Sequence, residues 1–320
     1  MECGQLHLLL PGTNFLALRC VTRKSLKYFL DHRLDTFTDY SNASGTEKEK
    51  NIYHSNDVSR LFNLVRSEGG VEKRMEVYMV AVYLLRILQQ MGYFGPKSDT
   101  TSLTEEEVYV GMLLAHFVTV AERNSQNIGQ VRKEHQGLES LSDIVKYSFR
   151  PAEVGFGIHP SLAMINHSCY PNVVKVQQGG RTVILAARKI EEGEEVLDNY
   201  GALFYSLPKL ERWRELGFEC HCEACTADWP LFGSLSSSLD LTACPSPLTA
   251  AGSLEKGRAA NSLMAKMAQE LAAGHFARVA TLCGEYNTVL AKLVRAPHRF
   301  HFNSYMITYY CAWARWGAKE

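Results

Sequence analysis

The sequence lacks an excess of charge of either sign, because 34 lysines and arginines are balanced by 34 aspartates and glutamates. This balance argues against a nucleic-acid-binding protein that neutralises phosphates. The chain also lacks an apolar run of about 18 residues, the length that spans a bilayer. No basic stretch precedes the apolar patch Leu6 to Leu10, so the N-terminus does not have the pattern of a signal peptide. We therefore expect neither nucleic acid nor membrane among its partners.

The cysteines lack the pattern of a disulfide-stabilised protein. Their number, 9, is odd, and a chain of 320 residues can bury a core without disulfide bonds. Three of them lie together in the hexapeptide CHCEAC, at Cys220, Cys222 and Cys225. This distribution is typical of reduced intracellular thiols together with a metal site. We expect a protein of the cytoplasm, the nucleus or both.

Helical and strand-like patterns occupy different parts of the chain. Helical spacing of apolar residues is present in the stretches 13–31, 58–91, 102–124 and 254–320. Within the second of these, VEKRMEVYMVAVYLLRILQQMGYF is apolar enough to predict a buried core helix. Ser102 or Thr104 can cap the third. After Asn124 the sequence is rich in glycine and β-branched residues, and NVVKV and RTVILAARKI flank QQGG, which indicates a hairpin. We predict an α+β fold.

The CHCEAC turn can direct three thiolates toward one point. Structural zinc takes four ligands in a tetrahedron, so three local cysteines need a fourth ligand from elsewhere. His221 is poorly suited because it lies between two ligands, and Cys244 lies in a linker rich in Ser, Pro and Leu. Cys169, in the motif MINHSCYPN, is the favoured candidate. The alternative is three free surface thiols without a metal.

The stretch GEEVLDNYG places Tyr200 at the predicted end of a strand, directly before a glycine. A tyrosine in this position can hold its hydroxyl in a cleft. Taken alone, however, the residue is better explained as a packed core tyrosine whose hydroxyl has a partner.

Four motifs resemble those of the SET-and-MYND (SMYD) family of lysine methyltransferases. NHSCYPN resembles the family's N-H-S-C-x-P-N, GEEVLDNYG its G-E-E-x-x-x-x-Y, GFECHCEAC its post-SET F-x-C-x-C-x-x-C, and RNSQNI its C-N-x-x-x-I element. They follow the family's order and spacing from Asn124 to Cys225. The C-terminal helical pattern is most similar to the branch that also carries TPR repeats.

The resemblance implies a SET-domain β-fold with a helical insert, a post-SET zinc knot and a helical TPR-like C-terminal region. The predicted boundaries are 1–123 for the end of MYND and the helical insert, 124–205 for the core SET β region, 206–230 for the post-SET segment, 231–253 for a linker and 254–320 for the TPR-like helices. Cys3 resembles the last cysteine of a MYND finger, so we expect a form that lacks most of MYND and the first SET strands.

The family's reaction is transfer of a methyl group from S-adenosylmethionine to a lysine side chain of a protein, histone or non-histone. The lysine must be neutral to attack, and the enzyme contributes alignment, desolvation and electrostatics. By motif, Tyr200 would orient the transfer as the catalytic residue. The resemblance assigns cofactor binding to Asn124, Asn166, His167 and Phe218, and zinc binding to Cys169, Cys220, Cys222 and Cys225.

Three departures from the family pattern bear on activity. The glycine-rich segment that completes the cofactor pocket is absent, Leu216 stands where the family has a channel tyrosine, and Ala163 stands where a small hydroxyl residue is common. We therefore expect little or no turnover from the chain as written. The alternative function is a non-catalytic SET-derived module that binds protein partners through its C-terminal helices.

Overall fold

A computed structural model of the chain describes residues 12–32, 61–62, 64, 66, 69–96, 102–131, 151–178, 181–237 and 250–317. The predictions for Cys3, Cys244 and residues 238–249 of the linker lie outside these ranges. The helices are α1 Asn14–Thr22, α2 Leu26–Asp31, α3 Val71–Gln90, α4 Glu105–Asn124, α5 Lys209–Leu216, α6 Glu223–Thr226, α7 Ala250–Ala272, α8 Phe276–Leu290 and α9 Arg299–Trp316. The strands are β1 Ser125–Gln130, β2 Ala152–Ile158, β3 Asn166–His167, β4 Val173–Gln178, β5 Arg181–Ala186 and β6 Leu197–Asp198.

The chain divides into two compact units, of which the first comprises residues 1–128 and 154–164 and the second residues 129–153 and 165–320. This mixture of helices and short strands confirms the predicted α+β class. Among the described residues, no helix is long and apolar enough to cross a membrane.

The first unit is built around the helices α1, α3 and α4. The start of α4 is a capping box, in which the Thr104 hydroxyl accepts from the backbone N–H of Glu107 while the Glu107 carboxylate accepts from that of Thr104. The capping role predicted for Thr104 is therefore confirmed. The helical pattern predicted over 13–31 is confirmed and comprises two helices, because the chain turns after α1 and the Ser25 hydroxyl caps a separate α2.

Helix α3 differs from its prediction. Its start at Val71 is the predicted one, but only one of its faces is buried. That face includes Leu84 and Leu88, which pack into the core of the first unit. The opposite face carries Met75, Tyr78, Met79 and Val82 in exposed positions, Met79 with 69% of its surface accessible. The sequence showed an excess of apolar residues but not that they form two separate faces.

The second unit contains the strand pairs β3–β6 and β4–β5 and the C-terminal helices. Strands β4 and β5 form the predicted antiparallel hairpin, with Val173 opposite Ala186 and Gln178 opposite Arg181. Strands β3 and β6 pair in parallel over two residues each, Asn166 with Leu197 and His167 with Asp198. This short pair places the motif NHSCYPN beside GEEVLDNYG.

The C-terminal helices α7, α8 and α9 pack in sequence, each against the next, and α9 also packs on β4. The turn predicted at AAGHF is confirmed, since Gly274 lies between α7 and α8 with a φ of 73°, which a side chain would disfavour. The core of this region includes the fully buried side chains of Met267, Tyr310 and Trp313.

Candidate active site and metal centre

Asn172, the last residue of NHSCYPN, joins the two motifs. Its side chain is fully buried, and its amide Nδ2 donates to the Glu195 carbonyl at 2.8 Å and to the Glu194 carboxylate at 3.2 Å. Its Oδ1 accepts from the Leu197 backbone N–H at 2.8 Å. Because Asn172 extends the two-residue β3–β6 pair by side-chain bonds, it fixes the register of the two motifs. Asn172 was not among the site residues predicted from the sequence.

Tyr200 follows β6 and is held at both its backbone and its hydroxyl. Its backbone N–H donates to His167 Nδ1 at 3.1 Å, and its hydroxyl donates to the Ile165 carbonyl at 2.6 Å. The side chain is 44% exposed, so the alternative of a packed core tyrosine is wrong. Burial, followed by the charges of Asp198 and Glu195, raises the pKa of Tyr200, so the hydroxyl keeps its proton near neutral pH and acts as a donor.

His167 lies between Tyr200 and Phe218. Its ring centroid is 5.1 Å from that of Tyr200 and 6.0 Å, edge to face, from that of Phe218. Burial lowers the pKa of His167 to about 4, so the imidazole is neutral at pH 7. Phe218 itself is 42% exposed. The structure thus brings three of the predicted site residues together around one imidazole.

The two predicted asparagines have partners within the protein. Asn166 Nδ2 donates to the Glu195 carboxylate at 2.6 Å. Asn124 belongs to the first unit, where it is buried at the end of α4 and donates to the Val120 carbonyl at 2.8 Å. Asn166 therefore lies beside the motif GEEVLDNYG in the second unit, whereas Asn124 lies in the first unit.

The four predicted metal ligands form one cluster. The sulfur atoms of Cys169, Cys220, Cys222 and Cys225 all lie within 4.8 Å of one another, and those of Cys169 and Cys225 are 3.6 Å apart. A tetrahedral zinc ion with sulfur ligands at 2.3 Å requires sulfur–sulfur separations of about 3.8 Å. The donor set and its spacing therefore fit zinc. The alternative of three free surface thiols is wrong in its geometry, because Cys220 and Cys225 are buried with Cys169.

Crowding makes these thiols unequal in acidity. Hydrogen bonding from the Cys169 thiol lowers the pKa of Cys222, and the same interaction, together with burial, raises the pKa of Cys169. One proton leaves readily, whereas further thiolates in the same small volume would repel each other. A divalent cation would relieve that repulsion, which is the reason such clusters bind metals.

Arg212 supplies positive charge beside this cluster. It is buried on α5, and its guanidinium donates to the carbonyls of Phe204 and Leu207 and to the Cys225 sulfur at 3.3 Å. A metal bound by four thiolates carries net negative charge, and a buried guanidinium offsets part of it. Sequence reasoning missed Arg212, because only the packing of α5 reveals that this arginine of a charged helix is buried.

A second, partly buried cation lies beside β6. Lys175 Nζ on β4 forms an ion pair with the Asp198 carboxylate and also donates to the Asn199 carbonyl at 3.3 Å. The Asn199 side chain in turn donates to the carbonyls of Ser168 and Ala202. The two residues before Tyr200 are therefore fixed by bonds to β4 and to the NHSCYPN segment. Their position before the tyrosine was a signal that could have identified them.

Leu216 and Ala163, the two departures in the family pattern, lie in different surroundings. Leu216 is buried among the cysteines, together with Phe204 and Trp229. Ala163 belongs to the first unit and packs against its core.

Comparison with known proteins shows what this part of the chain is similar to. Residues 47–201 match the SET domain. The chain is 30% identical over 146 residues to histone-lysine N-methyltransferase SMYD3 of Mus musculus, which covers 42% of this chain and 33% of the relative. It is 38% identical over 77 residues to N-lysine methyltransferase SMYD2 of Gallus gallus, and the match covers 23% of this chain and 18% of the relative.

A third relative is protein-lysine N-methyltransferase SMYD4 of Mus musculus, 34% identical over 136 residues, covering 41% of this chain and 16% of the relative. The matched part thus spans a third or less of the length of these curated relatives. The matches support the resemblance drawn from the four motifs. Over the matched residues the chain is similar to the SET domain and to lysine methyltransferases of the SMYD family.

Proposed function

We propose that the chain acts as a protein-lysine N-methyltransferase that uses S-adenosylmethionine. The observation that supports this most directly is the Tyr200 hydroxyl, held at 2.6 Å from the Ile165 carbonyl beside the Asn166–His167 backbone. The names of the relatives give the reaction class, since SMYD2, SMYD3 and SMYD4 are called lysine methyltransferases. The substrate is a lysine side chain of a histone or another protein.

The exposed groups beside His167 suit the cofactor's chemistry. S-adenosylmethionine supplies a methyl group on a cationic sulfonium, together with a purine ring. The partly exposed rings of Tyr200 and Phe218 offer faces for a cation and for stacking, and the Glu195 carboxylate lies at Asn166. We assign adenine contact to Phe218, backbone hydrogen bonds to Asn166 and His167, and orientation of the methyl transfer to Tyr200. Asn124 is the proposed contact of the amino-acid portion.

We further propose that Cys169, Cys220, Cys222 and Cys225 bind one structural Zn²⁺ as a post-SET knot. Four thiolates would leave no open coordination position, so the metal would stabilise the fold and would not activate a water molecule. Its contribution to the reaction would be indirect, through the position of the segment between Cys169 and Cys220.

The packed helices α7, α8 and α9 are proposed to be a TPR-like region that binds protein partners. The support for this is their sequential packing, with a tight turn at Gly274. The balanced charge and the free thiols agree with a location in the cytoplasm, the nucleus or both.

The test is methyl transfer by the zinc-loaded chain from S-adenosylmethionine with an isotopically labelled methyl group to a mixture of histones and other proteins. Modified lysines would be identified by mass spectrometry. Tyr200→Phe removes the hydroxyl and should reduce the rate by about 100-fold, the size of effect seen when one oriented donor is lost. Tyr78→Phe, on the exposed face of α3, is the matched control and should retain the rate.

Two other outcomes are informative. Calorimetry that detects tight cofactor binding without any methylated product would favour the non-catalytic interaction module. Absence of both binding and transfer would refute the proposal for this chain.

A further inference from the structure

His167 uses both of its ring nitrogens inside the protein, one toward each of the two sites. Nδ1 is 3.1 Å from the backbone nitrogen of Tyr200, and Nε2 is 3.4 Å from the sulfur of Cys169. A backbone N–H can only donate, so Nδ1 must accept. In the neutral ring the proton is then on Nε2, which donates to Cys169.

The sulfur that receives this bond is one of the four clustered thiols. A metal-bound cysteine is a thiolate, and an ionised acceptor makes a stronger hydrogen bond than a neutral thiol. Metal binding at Cys169 would therefore strengthen its bond from Nε2–H and fix the orientation of the imidazole. Such bonds to metal ligands also tune the affinity of the site, by roughly 10–100-fold.

The other nitrogen acts on Tyr200. Its backbone is anchored by His167 Nδ1 and its hydroxyl by the Ile165 carbonyl, and both anchors belong to the short segment before Cys169. A rotation of the imidazole would remove the first anchor. A shift of the tyrosine by about 1 Å would be enough to reduce a positioning-dependent reaction by about 100-fold.

We propose that His167 is a positioning residue that couples the four-cysteine metal centre to Tyr200, with Nε2–H bound to the Cys169 thiolate and Nδ1 holding the Tyr200 backbone. The effect on methyl transfer rests on the proposed function, whereas the coupling itself does not. Occupancy of the metal centre would then set the position of the tyrosine.

Two substitutions separate the two bonds. The side-chain oxygen of asparagine can take the place of Nδ1, so His167→Asn keeps the acceptor for Tyr200 and loses the donor to Cys169. The longer amide of glutamine reaches the place of Nε2, so His167→Gln keeps the donor and loses the acceptor. Circular dichroism and thermal unfolding would show that both variants fold.

The metal readout is the full chain loaded with Co²⁺, whose thiolate charge-transfer absorption reports on the ligand sulfurs, together with the rate of Zn²⁺ loss to a chelator. His167→Asn should shift the absorption and speed metal loss by 10–100-fold, the range for such hydrogen bonds. His167→Gln should resemble the parent in both measurements.

The tyrosine readout is the ¹⁹F resonance of the chain labelled with 3-fluorotyrosine, in which the Tyr200 signal is assigned by its loss in Tyr200→Phe. That signal should move in His167→Gln and stay in place in His167→Asn, and removal of the metal from the parent should also move it. The coupling would be overturned if the two variants had equal effects on both the metal and the tyrosine readouts. It would also be overturned if removal of the metal left the Tyr200 signal unchanged. Failure of methyl transfer alone would leave these readouts unchanged and would count only against the proposed function.

Discussion

Two regions of the second unit are stabilised in different ways. The cysteine junction, here residues 165–235, has a small apolar cluster of eight buried residues, three of which are cysteines. The C-terminal helices have a larger cluster that includes Leu282, Ile307, Tyr310 and Trp313. The helices therefore depend on non-directional apolar burial, whereas the junction depends on directional bonds of Asn172, Arg212 and the thiols. The region that carries the candidate site is the one with less apolar packing.

Removal of the metal should have the largest effect and should be confined to the junction. Structural zinc contributes about 10–16 kcal/mol of binding free energy in small sites at pH 7. Chelation should therefore abolish hydrogen-exchange protection around Cys169 and Cys220, while α8 and α9 keep theirs. Elemental analysis should find about one zinc per chain, given four thiolate ligands.

The matched cysteine variants test the same difference. Cys169→Ser and Cys222→Ser should each release the metal, whereas Cys311→Ala, buried within the C-terminal helices, should retain it. Retention of zinc by Cys169→Ser would show that the fourth ligand is another residue.

The reverse experiment removes a large side chain from the helices. Trp313 is almost fully buried in their core, and Trp313→Ala should lower the free energy of unfolding by about 3–5 kcal/mol. Zinc stoichiometry at 25 °C should not change. Trp313→Phe should cost less, because it leaves a smaller cavity and removes a buried indole N–H that has no hydrogen-bond partner among the described residues. Urea titration followed by circular dichroism measures the free energy of unfolding of both variants. If zinc content fell together with that free energy, the two regions would not be stabilised independently.

Asn172 tests the directional bonds of the junction without touching a thiol. Asn172→Ala would leave the Leu197 N–H and the Glu195 carbonyl without their partner, at a cost of about 3 kcal/mol. The Tyr200 signal should shift, because the register of the two motifs is no longer fixed. Asn172→Asp keeps an acceptor for Leu197 but puts a buried carboxylate beside the Glu194 carboxylate and the Glu195 carbonyl, so it should destabilise the chain in urea at least as much as Asn172→Ala. An unchanged Tyr200 signal in Asn172→Ala would contradict this role.

The first unit offers a smaller, pH-dependent comparison. His116 stacks on Phe62 and bonds to its carbonyl at 2.7 Å, and burial lowers the pKa of His116 to about 4. Between pH 4 and 6.5 the unfolded chain binds more protons at this residue than the folded chain does, so stability falls as the pH falls through this window. The loss should be about 2 kcal/mol, given the partial exposure of the ring.

His116→Gln keeps an amide donor for the Phe62 carbonyl and does not titrate. Urea unfolding of the two chains at pH 7 and pH 5 isolates this contribution, because loss of metal in acid affects both equally. A parallel pH dependence of both chains would show that His116 does not contribute.

Local signals predicted much of the fold. The β4–β5 hairpin, the Thr104 cap and the turn at Gly274 each depend on a few adjacent residues, which the sequence displays directly. The exposed face of α3 was not predicted, because apolar content alone does not show whether Met79 lies on the same face as Leu84.

The site shows the same limit. The sequence predicted that Cys169 lies near the cysteine turn, because a four-ligand zinc site needed one more ligand and Cys169 was the favoured candidate. The bonds made by His167 and the burial of Arg212 could not be predicted, because they depend on distances between segments that are far apart in the chain. The assignments of the cofactor-binding residues remain predictions.

The separation of the proposed metal ligands along the chain has a consequence for loop entropy. Cys169 and Cys225 are 56 positions apart, and the segment between them contains both Tyr200 and Phe218. Closing a flexible loop of this length costs roughly 3–4 kcal/mol. The binding free energy of a metal ion held by both cysteines would offset this cost. The two aromatic rings would then be confined before any small molecule arrives, and its binding would not have to restrict them.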